Sequence, residues 1–351
     1  MNVRDQIDII QAKNDSPVEM SINIAIINYP DALKSAVYGL EEMFNLSNQL
    51  CDEHGLEQRF NVNILQLDEL AQAQAKLKQH AVILPPSIVG DFYLKPSDKL
   101  LNWLRQQHKQ GSLLCSACAG SFIIAATGLL AKREATTHWG LTNDFSDLYP
   151  QVKLSPNKIL CNDGDIITAA GMMSWLDLGL ELVAQCTSHA IMRQLGKILV
   201  IDTGQREQRF YQQFSPRLNH TDEEILACQH TIQRDYANPL KVSELASSTH
   251  LIERTFLRRF SKATGLKPNE YIQRIRIQKA CDLFESSQKT VELIASEVGY
   301  EDVSNFRRNF VRITGLSPRA FKQRFVAPNK ASKKAAVKPN DEDKDNEASA
   351  A

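Results

Sequence analysis

The feature that most constrains this chain is an echo near its C-terminal end. Phe256-Leu-Arg-Arg-Phe260-Ser-Lys-Ala-Thr264-Gly265-Leu266-Lys-Pro268 returns as Phe306-Arg-Arg-Asn-Phe310-Val-Arg-Ile-Thr314-Gly315-Leu316-Ser-Pro318, an offset of 50 residues. Upstream, Leu245-Ala246 returns as Ile294-Ala295 at an offset of 49. A short helix, a turn and a longer helix are therefore specified twice, and a repeated pattern of this kind has to fold the same way twice. The spacing predicts two helix-turn-helix motifs joined by a helix near Pro268 to Glu285.

At 100° per residue each longer helix separates into two faces. In the first, Ile252, Phe256, Phe260 and Ala263 share one side, and Arg254, Leu257, Arg258 and Ser261 face away. In the second, Phe306, Phe310 and Ile313 are expected to be buried together, and Ser304, Arg307, Arg308 and Val311 point outward. Asp302 is placed to cap that helix, and Gly265 and Gly315 stand where a left-handed stop follows. An outward face with arginines suits the DNA major groove, because the planar guanidinium matches the two acceptors of guanine. On a lone helix such a face is more often simply solvated. Here both copies keep the same architecture and an arginine at the same outer position, Arg258 and Arg308, which favours two readers entering successive groove segments.

Charge supports that placement weakly. The 351-residue chain is neutral, with 41 basic and 41 acidic residues. Residues 1–220 hold 19 basic and 23 acidic residues, residues 221–325 hold 17 and 13, and residues 326–351 hold 5 and 5. A polyanionic partner belongs with the middle group.

Residues 222–325 resemble the AraC/XylS family DNA-binding domain. The second copy carries that family's signature tail, from Asp302-Val-Ser-Asn-Phe306-Arg-Arg308-Asn-Phe310 through Gly315-Leu-Ser-Pro318. The resemblance implies a sequence-specific transcription regulator, usually an activator, acting as a dimer on repeated half-sites.

Upstream the pattern changes. Apolar runs at 22–28, 60–65, 81–84, 112–117 and 165–170 read as strands. They alternate with helical stretches at 35–51, 100–110, 120–130 and 175–185. That order predicts an α/β unit over 20–201, a parallel sheet flanked by helices. Residues 202–221 read as a polar linker. Residues 1–19 form an N-terminal arm, and 326–351 are too poor in apolar residues to order themselves. No run reaches the ~18 apolar residues of a membrane span, and no signal-peptide core is present. With seven scattered cysteines, this points to reduced thiols in the cytoplasm.

Within the α/β unit, Ser116-Ala-Cys118-Ala-Gly120-Ser121 sits between a strand and a helix. A sharp turn there would raise the Cys118 side chain above the sheet edge, and the helix amides would favour thiolate. The competing reading is a small buried cysteine behind a turn. Cys115 is a poor partner for Cys118, since an extended strand would set their Cα atoms about 9–10 Å apart, beyond the ~7 Å limit of a disulfide.

This unit resembles the ThiJ/PfpI family, similar to class I glutamine amidotransferases and flavodoxin-like in fold. The resemblance is carried by Cys118-Ala-Gly-Ser-Phe, Ala135-Thr-Thr-His138-Trp139, and Ala170-Gly171 with Asp177. With the AraC-type segment behind it, the order matches the GlxA-like branch of transcription regulators. Several departures weaken catalysis. Hydrolytic members have a histidine after the cysteine, where Ala119 stands here. Ala36 occupies the place of the supporting acid, and Leu40 that of a proline after Gly39. Pro85-Pro86-Ser87 replaces a Pro-Gly-Gly loop; Pro86 has no N–H, leaving Ser87 and Ala119 as oxyanion donors. No base and acid are evident to activate the cysteine. The expectation is no catalytic residue, no metal and no cofactor.

The pocket itself is expected to survive as a sensor, with Cys118, His138, Trp139, Ser87 and Ala119 as ligand-binding residues. The resemblance implies a small, nitrogenous effector, and Trp139 and Trp175 are candidates to hold a cation by the ring face. The expected partners are promoter half-sites on double-stranded DNA, a small-molecule effector and a second copy of the chain, with RNA polymerase as a further candidate. The alternative is a cysteine-dependent amidase or hydratase with a DNA-binding tail.

Overall fold

The computed structural model describes residues 20–70, 78–204 and 207–326. The arm expected at 1–19 and, apart from Val326, the tail expected at 326–351 lie outside the described residues. The chain divides into two compact units, Met1–Gln213 and Phe214–Ala351.

The first unit is built on a six-stranded sheet. In chain order its elements are β1 (Met20–Asn28), α1 (Lys34–Glu53), β2 (Gln58–Gln66), β3 (Ala81–Leu84), α2 (Asp98–Lys109), β4 (Leu113–Ala117) and α3 (Gly120–Ala126). These are followed by β5 (Glu134–Ala135), α4 (Thr142–Leu148), β6 (Lys153–Leu154), β7 (Leu160–Asn162), β8 (Ile166–Ala169), α5 (Trp175–Cys186) and α6 (His189–Ile198). The strand order is β2-β1-β3-β4-β8-β7, and β5 and β6 form a separate pair. Strands β2, β1, β3, β4 and β8 are parallel; the edge strand β7 runs antiparallel to β8, an exception to the all-parallel sheet expected.

Ile24, Ala25, Ile26 and Ile27 are consecutive and all buried. Successive strand residues point to opposite faces, so a run like this requires cover on both. The cover comes from α1 packed on α5 and α6, and from α2 packed on α3. Two glycines let α1 and α5 approach closely. A Cβ at Gly39 would stand 2.5 Å from the Trp175 ring, and one at Gly179 would stand 2.4 Å from Met43 Sδ. Trp175 is thereby committed to the core and is not available to a ligand, correcting its candidacy. Helix α3 ends at Ala126, short of the Leu130 expected, as Gly128 turns the chain at φ +83°.

The second unit holds α7 (Glu223–Asp235), α8 (Val242–Ser248), α9 (Glu253–Thr264), α10 (Pro268–Ser286), α11 (Val291–Glu297), α12 (Val303–Thr314) and α13 (Pro318–Phe325). The pairs α8–α9 and α11–α12 are the two helix-turn-helix motifs. Each has its own core, one around Phe256, Phe260 and Tyr271 and one around Phe306, Phe310 and Phe284. Helix α10 serves both. Its N-terminal half contributes Tyr271, Ile272 and Ile275 to the first, and its C-terminal half contributes Ile277, Cys281 and Phe284 to the second.

The repeat extends to single hydrogen bonds. Thr264 Oγ1 donates to Phe260 O and accepts from Leu266 N at 2.8 and 3.2 Å; Thr314 makes the same pair with Phe310 and Leu316 at the same distances. Gly265 and Gly315 close the two longer helices at φ +76° and +78°. The turns match as well. Leu251 N bonds Ala246 O, and Tyr300 N bonds Ala295 O. The preceding residues, His250 and Gly299, both adopt positive φ.

The offset grows from 49 to 50 between Tyr300 and the start of α12, where one residue is inserted. There the copies differ. Asp302 caps α12 by accepting from Ser304 N and Asn305 N, each at 2.9 Å. Its counterpart Ile252 makes no cap and is 74% exposed, so it does not join Phe256 as the helical wheel predicted. The wheel fails because Ile252 is an extended N-cap residue outside the helix. Ile313 is only half-buried, packed against the second core.

Candidate DNA interface and sensor site

The outward residues of both longer helices stand where the periodicity puts them. Arg254, Leu257 and Arg258 on α9 are exposed and Ser261 is half-buried; Ser304, Arg307, Arg308 and Val311 on α12 are all exposed. The two faces are not equally free. Among the described residues, Arg254 and Arg258 make no ion pair. Arg307 Nη2 donates to Glu292 Oε1 of α11 at 2.8 Å, and Arg308 lies 3.9 Å from Asp302 Oδ2. The adjacent Arg259 is turned inward and braces α9 against α7 through Asp222 and Glu224, which holds the Asp222 carboxyl below its ordinary range.

One residue that the sequence did not single out braces the two motifs together. Arg276 of α10 donates to Tyr236 O at 2.7 Å, Asn238 O at 2.9 Å and Gly299 O at 2.8 Å. Two of these carbonyls lie just after α7 and one lies in the turn of the second motif. A Cβ at Gly299 would stand 2.4 Å from Ala237 O, so the two segments meet only because that residue is glycine.

In the first unit the elbow is present. Cys118 sits between β4 and α3 at φ +54°, a left-handed conformation that costs a non-glycine residue energy. Its amide donates to Ala169 O at 2.9 Å. Its carbonyl accepts from Ser121 Oγ at 2.8 Å and Thr137 Oγ1 at 3.0 Å. Gly120 permits the turn, since a Cβ there would meet Leu84 O at 2.5 Å and Pro85 O at 2.9 Å.

The elbow does not activate the thiol. Cys118 is 3% exposed, and burial pushes its pKa up to about 11 despite a hydrogen bond from the Ala119 amide. Of the two readings of this cysteine, an activated thiolate or a small buried residue, the burial favours the second, because loss of solvent outweighs one amide at a short helix. Ser87 and Ala119 are also buried. The Ser87 hydroxyl donates to Val89 O at 3.1 Å, and the residue bridges Ala32 at the break in strand order between β1 and β3. The buried phenols of Tyr29 and, less deeply, Tyr93 lie near Cys118; Tyr29 donates to Pro85 O at 2.5 Å.

His138 and Trp139 are half-buried and adjoin Thr137, which bonds the elbow. Their rings lie against each other at a tilt, with centroids 5.0 Å apart. The His138 Nδ1 accepts from Gly140 N at 3.0 Å, and burial lowers its pKa. This ring is therefore a neutral local cap.

The stretch read as a linker holds an unforeseen contact. Gln208 is buried, with its Nε2 donating to Pro156 O at 2.6 Å and Thr137 O at 2.9 Å, and its Oε1 accepting from Trp139 N at 3.2 Å. A chain of contacts thus runs from Cys118 O through Thr137 to Gln208. From Phe214, which meets the Tyr271 ring edge-on and whose amide bonds Gln278, the chain packs into the second unit. Nothing in the polar stretch 202–221 marks Gln208 as buried. Tyr29 was findable, because it closes β1 at the strand end where ligands bind. A concavity of about 680 Å³ opens between α5, α6 and residues 202–204, with Asp177, Glu181, His189 and Phe210 in its wall.

Comparisons with known proteins agree with this division. Residues 55–185 match the DJ-1/PfpI family and residues 245–324 match a helix-turn-helix domain. The chain is similar to the HTH-type transcriptional regulator CdhR of Pseudomonas aeruginosa, at 29% identity over 66% of this chain and 68% of that protein. The stretches aligned with two further regulators, ArgR and GbdR, span 66% and 61% of their lengths. Isonitrile hydratase of Pseudomonas putida is 33% identical over 32% of this chain and half of its own length. Drosophila melanogaster DJ-1beta superposes on 52% of this chain and all of its own, with 18% identity and a TM-score of 0.44.

Proposed function

The chain joins a DJ-1/PfpI domain to an AraC-type helix-turn-helix domain, as GlxA-like regulators do, and from that premise we propose a DNA-binding transcription regulator governed by a small-molecule effector. One observation carries the reading: two readers with the same core, turn and stop each present an arginine, Arg258 and Arg308, at the same outward position. No helix among the described residues is long and apolar enough to cross a membrane. The protein acts as a dimer in the cytoplasm on paired half-sites, and its effector is small and nitrogenous.

The effector acts at the Cys118–His138–Trp139 region. Binding there shifts the 136–139 loop, to which Gln208 is bonded, and so changes how the segment leading to the second unit is held. The shift requires only that the effector favour one arrangement over the other. Cys118 serves as a shaped, protonated wall of that site. The cysteine-hydratase reading draws on the elbow and on the likeness to isonitrile hydratase. Against it stand a thiol pushed to about 11 and an alanine at 119.

The test is a competition assay with the full chain, using promoter fragments against random duplex, with and without a panel of small amines and amino acids. Preference for one fragment, altered by one compound, is expected. Equal binding to every duplex under all conditions would refute the reading. Ligand-dependent transcription that survives Cys118→Ala would exclude nucleophilic catalysis as its basis.

A further inference from the structure

The two readers share a template but not all their outward side chains: Arg254, Leu257 and Ser261 of the first stand where the second has Ser304, Arg307 and Val311, and the change at Leu257 swaps a charge for an apolar group. At the outward position common to both, Arg258 and Arg308 are the same. One residue earlier, the first reader has Leu257 where the second has Arg307. Leu257 is 37% exposed, whereas its helix neighbours Phe256 and Phe260 are fully buried. It is not among the half-buried apolar residues packed against the first core. Leucine favours a helix wherever it stands, but the exposed part of this side chain, beside the arginines, packs on neither core.

Its surroundings have changed with it. Arg307 is held by Glu292, on the first helix of its own motif. The residue equivalent to Glu292 at the 49-residue offset is Ser243, exposed on α8. The first motif therefore lacks both the arginine and the carboxylate that steadies it. An apolar side chain and an uncharged neighbour stand in place of an ion pair, beside the one outward position, Arg258 and Arg308, that the two readers share.

Only one base offers an apolar feature in the major groove, the C5 methyl of thymine. Leucine has no donor or acceptor, so against any other base it would cover polar edge atoms without satisfying them. Arginine at the same place matches the two acceptors of guanine. We infer that positions 257 and 307 discriminate between the two groove segments that one chain covers, with Leu257 reading thymine through the first reader and Arg307 reading guanine at the equivalent place in the second. Arg258 and Arg308 then read the same base in both. The stretch of operator covered by one chain is then a pair of related but unequal segments, which fixes the orientation of that chain on the duplex. The inference rests on the DNA-reading function proposed above.

The test selects duplexes from a random pool with the full chain. The expected motif has two segments that share one guanine and differ beside it, thymine in one and guanine in the other. Leu257→Arg should convert that thymine to guanine and leave the rest of the motif as it was. Because Leu257 is exposed, thermal melting should confirm that the variant folds. Replacing the thymine of a selected duplex by deoxyuridine removes only the methyl. It should weaken the wild type about three- to fivefold, the worth of one buried methyl, and leave Leu257→Ala indifferent. An unchanged motif with Leu257→Arg, or equal wild-type affinity for both duplexes, overturns the inference. If Arg258→Ala and Arg308→Ala still disturb the motif, the DNA-reading function stands without it. If they do not, or if no motif is enriched, that function falls too.

Discussion

Arg276 offers the sharpest test of how the two readers are held. Its guanidinium spans three carbonyls, those of Tyr236 and Asn238 after α7 and of Gly299 in the second turn. It also lies 5.6 Å from the centroid of the Tyr300 ring. A hydrogen bond to a charged group contributes about 1.5–3 kcal/mol, but three bonds on one half-buried group do not add. Arg276→Ala should therefore cost about 3 kcal/mol. In a unit of this size that corresponds to a drop of roughly 10 °C in the melting temperature. Arg276→Lys should recover only part, because a compact ammonium cannot span three acceptors in a fixed fork. Calorimetry of the full chain reports the loss, and amide exchange locates it at residues 236–240 and 298–302. DNA affinity should fall although the residue carries none of the outward reader positions, because the motifs lose their common brace. Unchanged melting together with unchanged exchange in those two stretches would refute the assignment.

Other consequences are equally open to measurement. Arg258→Ala and Arg308→Ala should each cost about 1–3 kcal/mol of specific binding, lost at separate half-sites; uniform weakening on all sequences would reduce them to phosphate contacts. Gln208→Ala strands Thr137 O and Trp139 N and should make residues 202–213 more sensitive to protease and uncouple effector from DNA binding; unchanged cleavage and coupling would remove Gln208 from the signalling route. Gly120→Ala forces a Cβ against the Leu84 and Pro85 carbonyls and should destabilise the first unit; an unchanged melting curve would show that β3 and α3 can separate there. Stability should also decline in alkali. The thiols of Cys118, Cys161, Cys186 and Cys228 are pushed up to about 11 from an ordinary 9.0 by burial. Below pH 9 both folded and unfolded chains keep these protons. Between 9 and 11 only the unfolded chain releases them, so stability falls across that window. Flat urea midpoints over this pH range would contradict the burial.

The tandem motif was legible in the primary structure because it depends on local periodicity and two glycine stops. The spacing of Phe256, Phe260 and Gly265 repeats in Phe306, Phe310 and Gly315, and the outward residues follow from the helical wheel. Alternating apolar runs and helical stretches also announced the sheet of the first unit. Short elements escaped notice: β5, β6 and β7 have two or three residues each, too few for any period. Ile252 misled because its neighbours are helical and it is not.

What composition and spacing determined, then, was the two-part plan, the double reader and the elbow at Cys118. What tertiary structure alone decided was the state of each group. Whether Cys118 ionises depends on how much solvent the surrounding loops exclude, and they leave it protonated. Whether an arginine is free to meet DNA depends on which carboxylates the fold brings beside it. Arg259 is taken up by Asp222, 37 residues earlier, and Arg276 by carbonyls of the segment after α7 and of the second motif's turn. A polar stretch such as 202–213 shows no sign in its residues that Gln208 will be buried. Local pattern sets secondary structure through steric and hydrophobic periodicity, whereas ionisation, pairing and docking depend on residues distant in the chain, which only folding brings together.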